Sequence, residues 1–304
     1  KGLKTMYNGQ AFRTIVDGFS ESGYDIYGTI LNANDYGVPQ NRERVFIVGT
    51  RLNKGFSFPK PSHKKIGELH PMKTVGEAIN DLQKNKKDIP NHLILNHGDI
   101  VTERYKLIKE GGKLPPPEDL PKHIRRKNFG NTYIRLHRKK PSVTMVPGNN
   151  AFPVHPVLNR SLTPREAARI QTFPDRYVFE GSRRMQCILV GNAVPPLLGA
   201  NLGKELKKHI ISKTYKGSKK DLVKNRNKID LISKRDILKN IKIKKNELTF
   251  IDLFSGAGGF TIGLAKSGFK PLLDADFDES VKKTHKFNFG DLDYVHGDLS
   301  SPKI

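Results

Sequence analysis

Residues 248–259 read Leu248-Thr249-Phe250-Ile251-Asp252-Leu253-Phe254-Ser255-Gly256-Ala257-Gly258-Gly259. The first half has the apolar, β-enriched texture of a buried strand. It breaks into glycine, then resumes at helical spacing through Lys266, which predicts a strand, a tight turn and a helix. Glycines at such a turn permit positive φ and let main-chain N–H groups approach a ligand at a helix N-terminus, where a carboxylate or phosphate is favoured. A purely structural turn accounts for the same residues nearly as well.

The sequence downstream bears on that choice. FKPLLDAD (269–276) reads as a second strand ending in Asp276, twenty residues after Gly256, with Phe277 beside it. In nucleotide-like sites an acid there accepts hydrogen bonds from ribose hydroxyls, and an adjacent ring covers an adenine face. The plainer alternative makes Asp276 a strand end and Phe277 core. A third strand, DYVHGDL (293–299), puts Asp298 at another carboxyl end, and three strand ends meeting at one crevice is the usual ligand geometry of an open α/β sheet.

Upstream the texture changes repeatedly. Residues 213–247 are dominated by Lys and Asn and read as a solvated linker with a weakly amphipathic helix inside. Before it, 183–212 contains VGNAVPP and the helical pattern LLGANLGKELKKHI, whose cationic end suits the helix dipole. In SLTPREAARIQTFP (161–174), Thr163, Pro164 and Glu166 are a helix-start signal, with the helix running to about Gln171. The rest of 56–182 is rich in Pro, Lys, Asn and His, with short strand-like pieces TYIRLH and SVTMV, and reads as a small irregular domain. Residues 1–55 read as α/β: an amphipathic stretch over 10–22, then neighbouring strands YDIYGTILNA and RVFIVGTRL around a polar loop with Tyr36-Gly37-Val38-Pro39.

Bulk properties bound the function. The 304 residues, 36% hydrophobic, suffice for one large core and a smaller satellite. The 54 Lys+Arg against 30 Asp+Glu give a net charge of +24, which points to a polyanionic partner, most commonly nucleic acid; a solvated lysine-rich surface is the bland alternative. The single Cys187 excludes an internal disulfide framework and a Cys-based zinc cluster, fits a reducing cytoplasm, and is read as a small buried apolar residue. No metal site is expected. No apolar run approaches membrane-spanning length and KGLKTMYNGQ has no signal-peptide core, so a soluble, cytoplasmic protein without a membrane partner is expected.

The runs FIDLFSGAGGFTIGLAKSGF, DADFDESVKKTHKFNFGD and HGDL resemble the first three motifs of the DNA (cytosine-5) methyltransferases. The resemblance implies S-adenosylmethionine as cofactor, with Phe254, Gly256 and Gly258 around its methionine end and Ser255 and Gly259 in the same turn. It also implies Asp276 at the ribose, Phe277 and Leu299 flanking adenine, and Asp298 at the adenine edge. Residues 34–44, NDYGVPQNRER, resemble the family's Q-x-R-x-R motif. The alternation puts Gln40, Arg42 and Arg44 on one face, able to grip a carboxylate, phosphate or flipped base; surface salt bridging with Glu43 is the bland alternative. By resemblance Arg44 holds the target cytosine, while Gln40 and Arg42 are structural or contact backbone.

Residues 160–175 look like the motif that organises the family's target-recognition domain, chiefly a scaffold, with Arg165 a candidate for the DNA backbone. Residues 190–196 are similar to the closing motif, whose inherited cofactor contacts are Asn192 and Ala193. Between the Q-x-R-x-R segment and residues 160–175 lies HIRRKNFGNTYIRLHRKKPS (123–142), where Arg125, Arg126 and Arg135 are candidate DNA contacts.

The motif order is unusual, with the closing motif before the first. The resemblance therefore implies a Rossmann-like α/β methyltransferase sheet, circularly permuted and incomplete in this chain, with a small target-recognition domain. The expected division is 1–55, 183–212 and 248–304 as parts of the catalytic domain, 56–182 for recognition, and 213–247 as linker. The family's Pro-Cys loop and Glu-Asn-Val motif are not recognisable. The expected partners are double-stranded DNA and a smaller polypeptide carrying those two motifs, in a setting such as a restriction-modification system.

Overall fold

The computed structural model describes residues 9–64, 70–83, 89–126, 130–146, 152–212 and 247–298. The expected linker, apart from Glu247, lies outside the described residues, as does Leu299. The chain opens with helix α1 (Gln10–Glu21) and strands β1 (Asp25–Asn32) and β2 (Glu43–Thr50), an antiparallel pair in which Leu31 faces Arg44. A 3-10 turn over Ala33–Tyr36 joins them and ends at Gly37, φ 83°. Glycine is required there on two counts, the positive φ and a Cβ that would lie 2.8 Å from the His63 ring.

The middle of the chain holds two short paired strands, β3 (His63–Lys64) and β4 (His70–Pro71), then α2 (Val75–Ile79), α3 (Asp99–Lys106) and α4 (Pro164–Ile170). Helix α4 begins as its sequence predicts. The Thr163 hydroxyl accepts from Glu166 N, the Glu166 carboxylate accepts from Thr163 N, and Pro164 occupies the first turn. TYIRLH and SVTMV do not build ladders. They form isolated bridges, including Lys113 to Ile134, Arg135 to Val154 and Gln40 to Ser142.

Helices α5 (Arg183–Asn192) and α6 (Pro196–Ile211) follow, then β5 (Thr249–Leu253), α7 (Gly259–Lys266), β6 (Lys270–Asp276), α8 (Glu279–Phe289) and β7 (Asp293–His296). The stretch 183–211 is apolar enough to be mistaken for a membrane span, but it breaks between α5 and α6 and most of it is buried inside the protein.

Strands β5, β6 and β7 form a parallel sheet in that order. A single sheet is not what the described residues show, because β1–β2 does not hydrogen-bond to β5–β7. The outer edge of β5 has no strand partner among the described residues, and Ile251 and Leu253 on it are 42% and 49% exposed. Parallel strands are ordinarily covered, so the exposure of β5 leaves this side of the sheet open; β7 forms the other edge.

The largest core cluster crosses the expected domain boundaries. It joins Val75, Met145, Phe152 and Phe173 to Cys187 and Val190 of α5, and to Ala257 and Val281 of the sheet region. A smaller core of Tyr105, Ile108, Leu114, Leu120, Ile124, Tyr133 and Val154 lies wholly within 56–182. Helices α6 and α7 meet at their glycines: a Cβ on Gly263 would lie 2.7 Å from Gly199 Cα, and Ser267 Oγ donates to Ala200 O at 2.8 Å.

Candidate cofactor and nucleic-acid site

The turn after β5 is built from left-handed residues: Phe254 at φ 59°, Gly256 at 52° and Gly258 at 66°. Ser255 donates to Ala275 O from its amide (3.0 Å) and its hydroxyl (3.3 Å), tying the turn to β6. Gly258 caps α7, and a Cβ there would sit 2.8 Å from the Phe289 ring; one on Gly259 would sit 2.1 Å from Val194 O. Gly256 differs. Nothing lies within 4 Å of where its Cβ would be, so its bare face looks onto open space.

Two aromatic rings stand at this opening. Phe254 leaves the carboxyl end of β5 and is 67% exposed; Phe277 leaves the carboxyl end of β6 and is 68% exposed. Burying a phenylalanine is worth about 1.5–3 kcal/mol, so two solvated rings at adjacent strand ends suit a flat apolar ligand. Between them Asp276 is 7% exposed, its carboxylate accepting from Gly256 N at 3.0 Å and Asp278 N at 3.1 Å. A carboxylate has about four acceptor positions, so Asp276 braces the turn and retains capacity for a ligand hydroxyl. Asp298, past the end of β7, is exposed. Asn192 is exposed at the end of α5, while Ala193 is buried and the neighbouring Val194 carbonyl presses on Gly259. The closing segment thus packs directly on the glycine turn.

Sequence reasoning missed the layer beneath. His285 Nε2 is 3.0 Å from Gly256 O, and its Nδ1 is 2.8 Å from Asp274 Oδ2. Thr261 Oγ1 lies 3.0 Å from the same Asp274 oxygen and 2.8 Å from Asp252 Oδ2. Burial pushes the Asp252 carboxyl up to about 6, with the nearby Asp274 adding to the rise. The available signal was strand periodicity, since an aspartate inside each of two apolar strands violates the pattern.

The Q-x-R-x-R segment is zipped to 142–145, with Asn41 N donating to Ser142 O (2.8 Å) and Thr144 Oγ1 to Asn41 O (2.6 Å). Gln40 and Arg42 are fully buried; Arg42 Nη1 reaches Met145 O at 3.4 Å, while the Gln40 amide and Arg42 Nε find no hydrogen-bond partner among the described residues. Burial lowers the Arg42 pKa to about 9, with Arg44 contributing. Arg44 is half-buried, its Nη1 donating to Glu43 O at 2.8 Å, and burial lowers its pKa as well.

The recognition cations divide. Arg125 and Arg126 are exposed, though Arg125 Nε donates to Leu120 O. The expectation that Arg135 and Arg165 contact DNA is corrected: both guanidinium groups are buried and engaged. Arg135 donates to Tyr105, Ile108, His155 and Leu158 carbonyls and to Asn159 Oδ1. Arg165 donates to Pro90, Pro174 and Tyr177 carbonyls. Cys187 is fully buried, and burial raises its thiol to about 11, which disfavours the reactive thiolate. A cleft of about 640 Å³ lined by Arg176, Ile262, Lys266 and Phe287 involves none of the turn residues.

The profile of the C-5 cytosine-specific DNA methylases matches residues 1–208 and 248–304. Type II methyltransferase M.NgoFVII of Neisseria gonorrhoeae is 37% identical over 213 residues, 68% of this chain and 56% of that protein. M1.HphI of Haemophilus parahaemolyticus is 38% identical over 201 residues, covering 64% and 51%, and M.BbvI of Brevibacillus brevis is 34% identical over 205, covering 64% and 53%. The chain spans about half the length of these relatives. With the profile matching on both sides of the lysine-rich segment, the chain belongs to the C-5 cytosine-specific DNA methylase family.

Proposed function

We propose that this chain is the cofactor- and DNA-binding part of a DNA (cytosine-5) methyltransferase in permuted order, acting on a flipped cytosine in a specific duplex site. The observation that carries the reading is the open glycine turn flanked by exposed Phe254 and Phe277, with Asp276 between them. These residues fit S-adenosylmethionine: two rings for a purine, a carboxylate for ribose hydroxyls, and a bare Gly256 face where the ligand comes close to the backbone. Asn192, Ala193 and Asp298 belong to the same mouth in this reading. When bound, S-adenosylmethionine supplies an electrophilic methyl group.

Cytosine C5 becomes nucleophilic only after a thiolate adds to C6 and an acid assists at N3. The one thiol of this sequence, Cys187, is buried and protonated. A complementary segment carrying a Pro-Cys loop and Glu-Asn-Val therefore supplies both groups, and the uncovered edge of β5 is where its strands would add. Arg44 holds the extruded base, Gln40 and Arg42 support it, and Arg125 and Arg126 neutralise phosphates, the flipping cost being a few kcal/mol. By itself the chain is a non-catalytic binding unit, a reading favoured by the buried Cys187.

Calorimetry with S-adenosylmethionine and with NAD tests the cofactor. Binding of the first alone is expected; NAD binding overturns the reading. Tritium-methyl transfer to duplex DNA, with and without a co-expressed Cys-bearing segment, tests the division of labour. Turnover by the isolated chain would sink it.

A further inference from the structure

The glycine turn is held from both sides of Gly256. Its N–H donates to Asp276, and its carbonyl meets His285 Nε2 at 3.0 Å. A carbonyl only accepts, so His285 must carry its hydrogen on Nε2. The other ring nitrogen faces Asp274 Oδ2 at 2.8 Å, out of line for a straight hydrogen bond but at ion-pair distance, with His285 2% and Asp274 0% exposed. Asp274 is itself steadied by Thr261, fully buried on α7, which also reaches Asp252 on β5. The other titratable groups facing this cluster are Tyr294 of β7, whose ring centroid is 5.2 Å from that of His285, and Tyr177, whose hydroxyl donates to Ala257 O at 2.7 Å. Among the described residues the ion-pair partner of His285 is Asp274, with neither lysine nor arginine bonded to the pair.

We infer that His285 is a positioning residue for cofactor binding, in which Nε2–H donation to the Gly256 carbonyl, sustained by Asp274, holds the turn in its ligand-accepting conformation. The inference rests on the reading of this turn as the S-adenosylmethionine site. Gly256 has positive φ and no side chain, so the conformation has little intrinsic preference and its two hydrogen bonds decide it. With Nε2–H given to the Gly256 carbonyl, the 2.8 Å approach of Nδ1 to Asp274 is favourable when a second proton sits between those two atoms, on the ring or on the carboxyl, and Asp274 then fixes the orientation of the ring beneath the turn.

The test uses the full chain with nitrogen-15 histidine labelling. The His285 ring resonances of the folded chain should show a proton on Nε2. An unprotonated Nε2 overturns the clamp, whatever the cofactor. In calorimetry, His285→Ala should weaken S-adenosylmethionine binding by about tenfold, while His285→Gln, whose amide still donates to the carbonyl, recovers most of that loss. Thermal melts of both variants identify the temperature at which they are folded, and affinity is compared there. Unchanged affinity in folded His285→Ala overturns the inference. Failure of the unmutated chain to bind S-adenosylmethionine, with Nε2 protonated, instead overturns the cofactor reading.

Discussion

The turn after β5 and the basic region from the end of β2 through α4 invert the usual rule of what is buried. At the turn, apolar rings are outside: Phe254 and Phe277 stand two-thirds exposed at the strand ends. In the basic region, cations are inside: Arg135 and Arg165 are sheathed by main-chain carbonyls. The difference teaches which side chains are structural in a protein carrying +24. A charge that satisfies backbone acceptors in the interior is a strut, and an uncovered ring beside a strained turn is a contact surface.

The sharpest way to break this contrast is to remove a strut. Arg135→Ala leaves several buried carbonyls without donors and is expected to cost about 3–5 kcal/mol in urea unfolding. A loss below ~1 kcal/mol would mean the guanidinium is free to work elsewhere. Acid is the next lever. Burial lowers the His155 pKa to about 4, so between its ordinary value and that point the unfolded chain binds the extra proton. Stability from this group is complete above about pH 6.5 and lost as pH falls towards 4, roughly 3 kcal/mol in all. Half-buried Asp252, pushed up to about 6, has the opposite sign: its contribution is present below its ordinary value and lost as pH rises through 6. Asp252→Asn should therefore gain stability, relative to the parent, at neutral pH and not at pH 4, which denaturant midpoints across that range would reveal.

At the turn the effects are expected in binding alone. Phe277→Ala should weaken S-adenosylmethionine binding by about tenfold while the unfolding midpoint stays put, since the ring is mostly solvated. A matching loss of stability would make the ring core. The smallest effect belongs to exposed Arg126. Its alanine variant should leave stability within ~0.5 kcal/mol and reduce the salt dependence of DNA binding by about one counterion, read as the slope of log affinity against log salt.

The elements that were legible in sequence are those specified by near neighbours. The α4 capping box, the glycine turn, the strand ending in Asp276 and the burial of Cys187 are each written within a few residues, and each is found in the structure. What was not legible depends on distant partners. Arg165 reaches Pro90, and Arg135 reaches Tyr105 and Ile108, across tens of residues of irregular chain with no period to announce the contact. His285 matters because parallel register brings β5 and β6 side by side under the turn, which places Asp252 next to Asp274. The expected separation of 56–182 from the rest also missed the core that Val75, Met145 and Phe152 share with α5.

The glycine contact between α6 and α7 has a consequence for the glycine turn. Because Gly263 leaves no room for a Cβ against Gly199, what keeps the closing segment beside the glycine turn is a packed seam. The seam joins segments more than sixty residues apart in the chain, so the neighbourhood of the glycine turn is set by which surfaces fit together and not by which residues are adjacent in sequence.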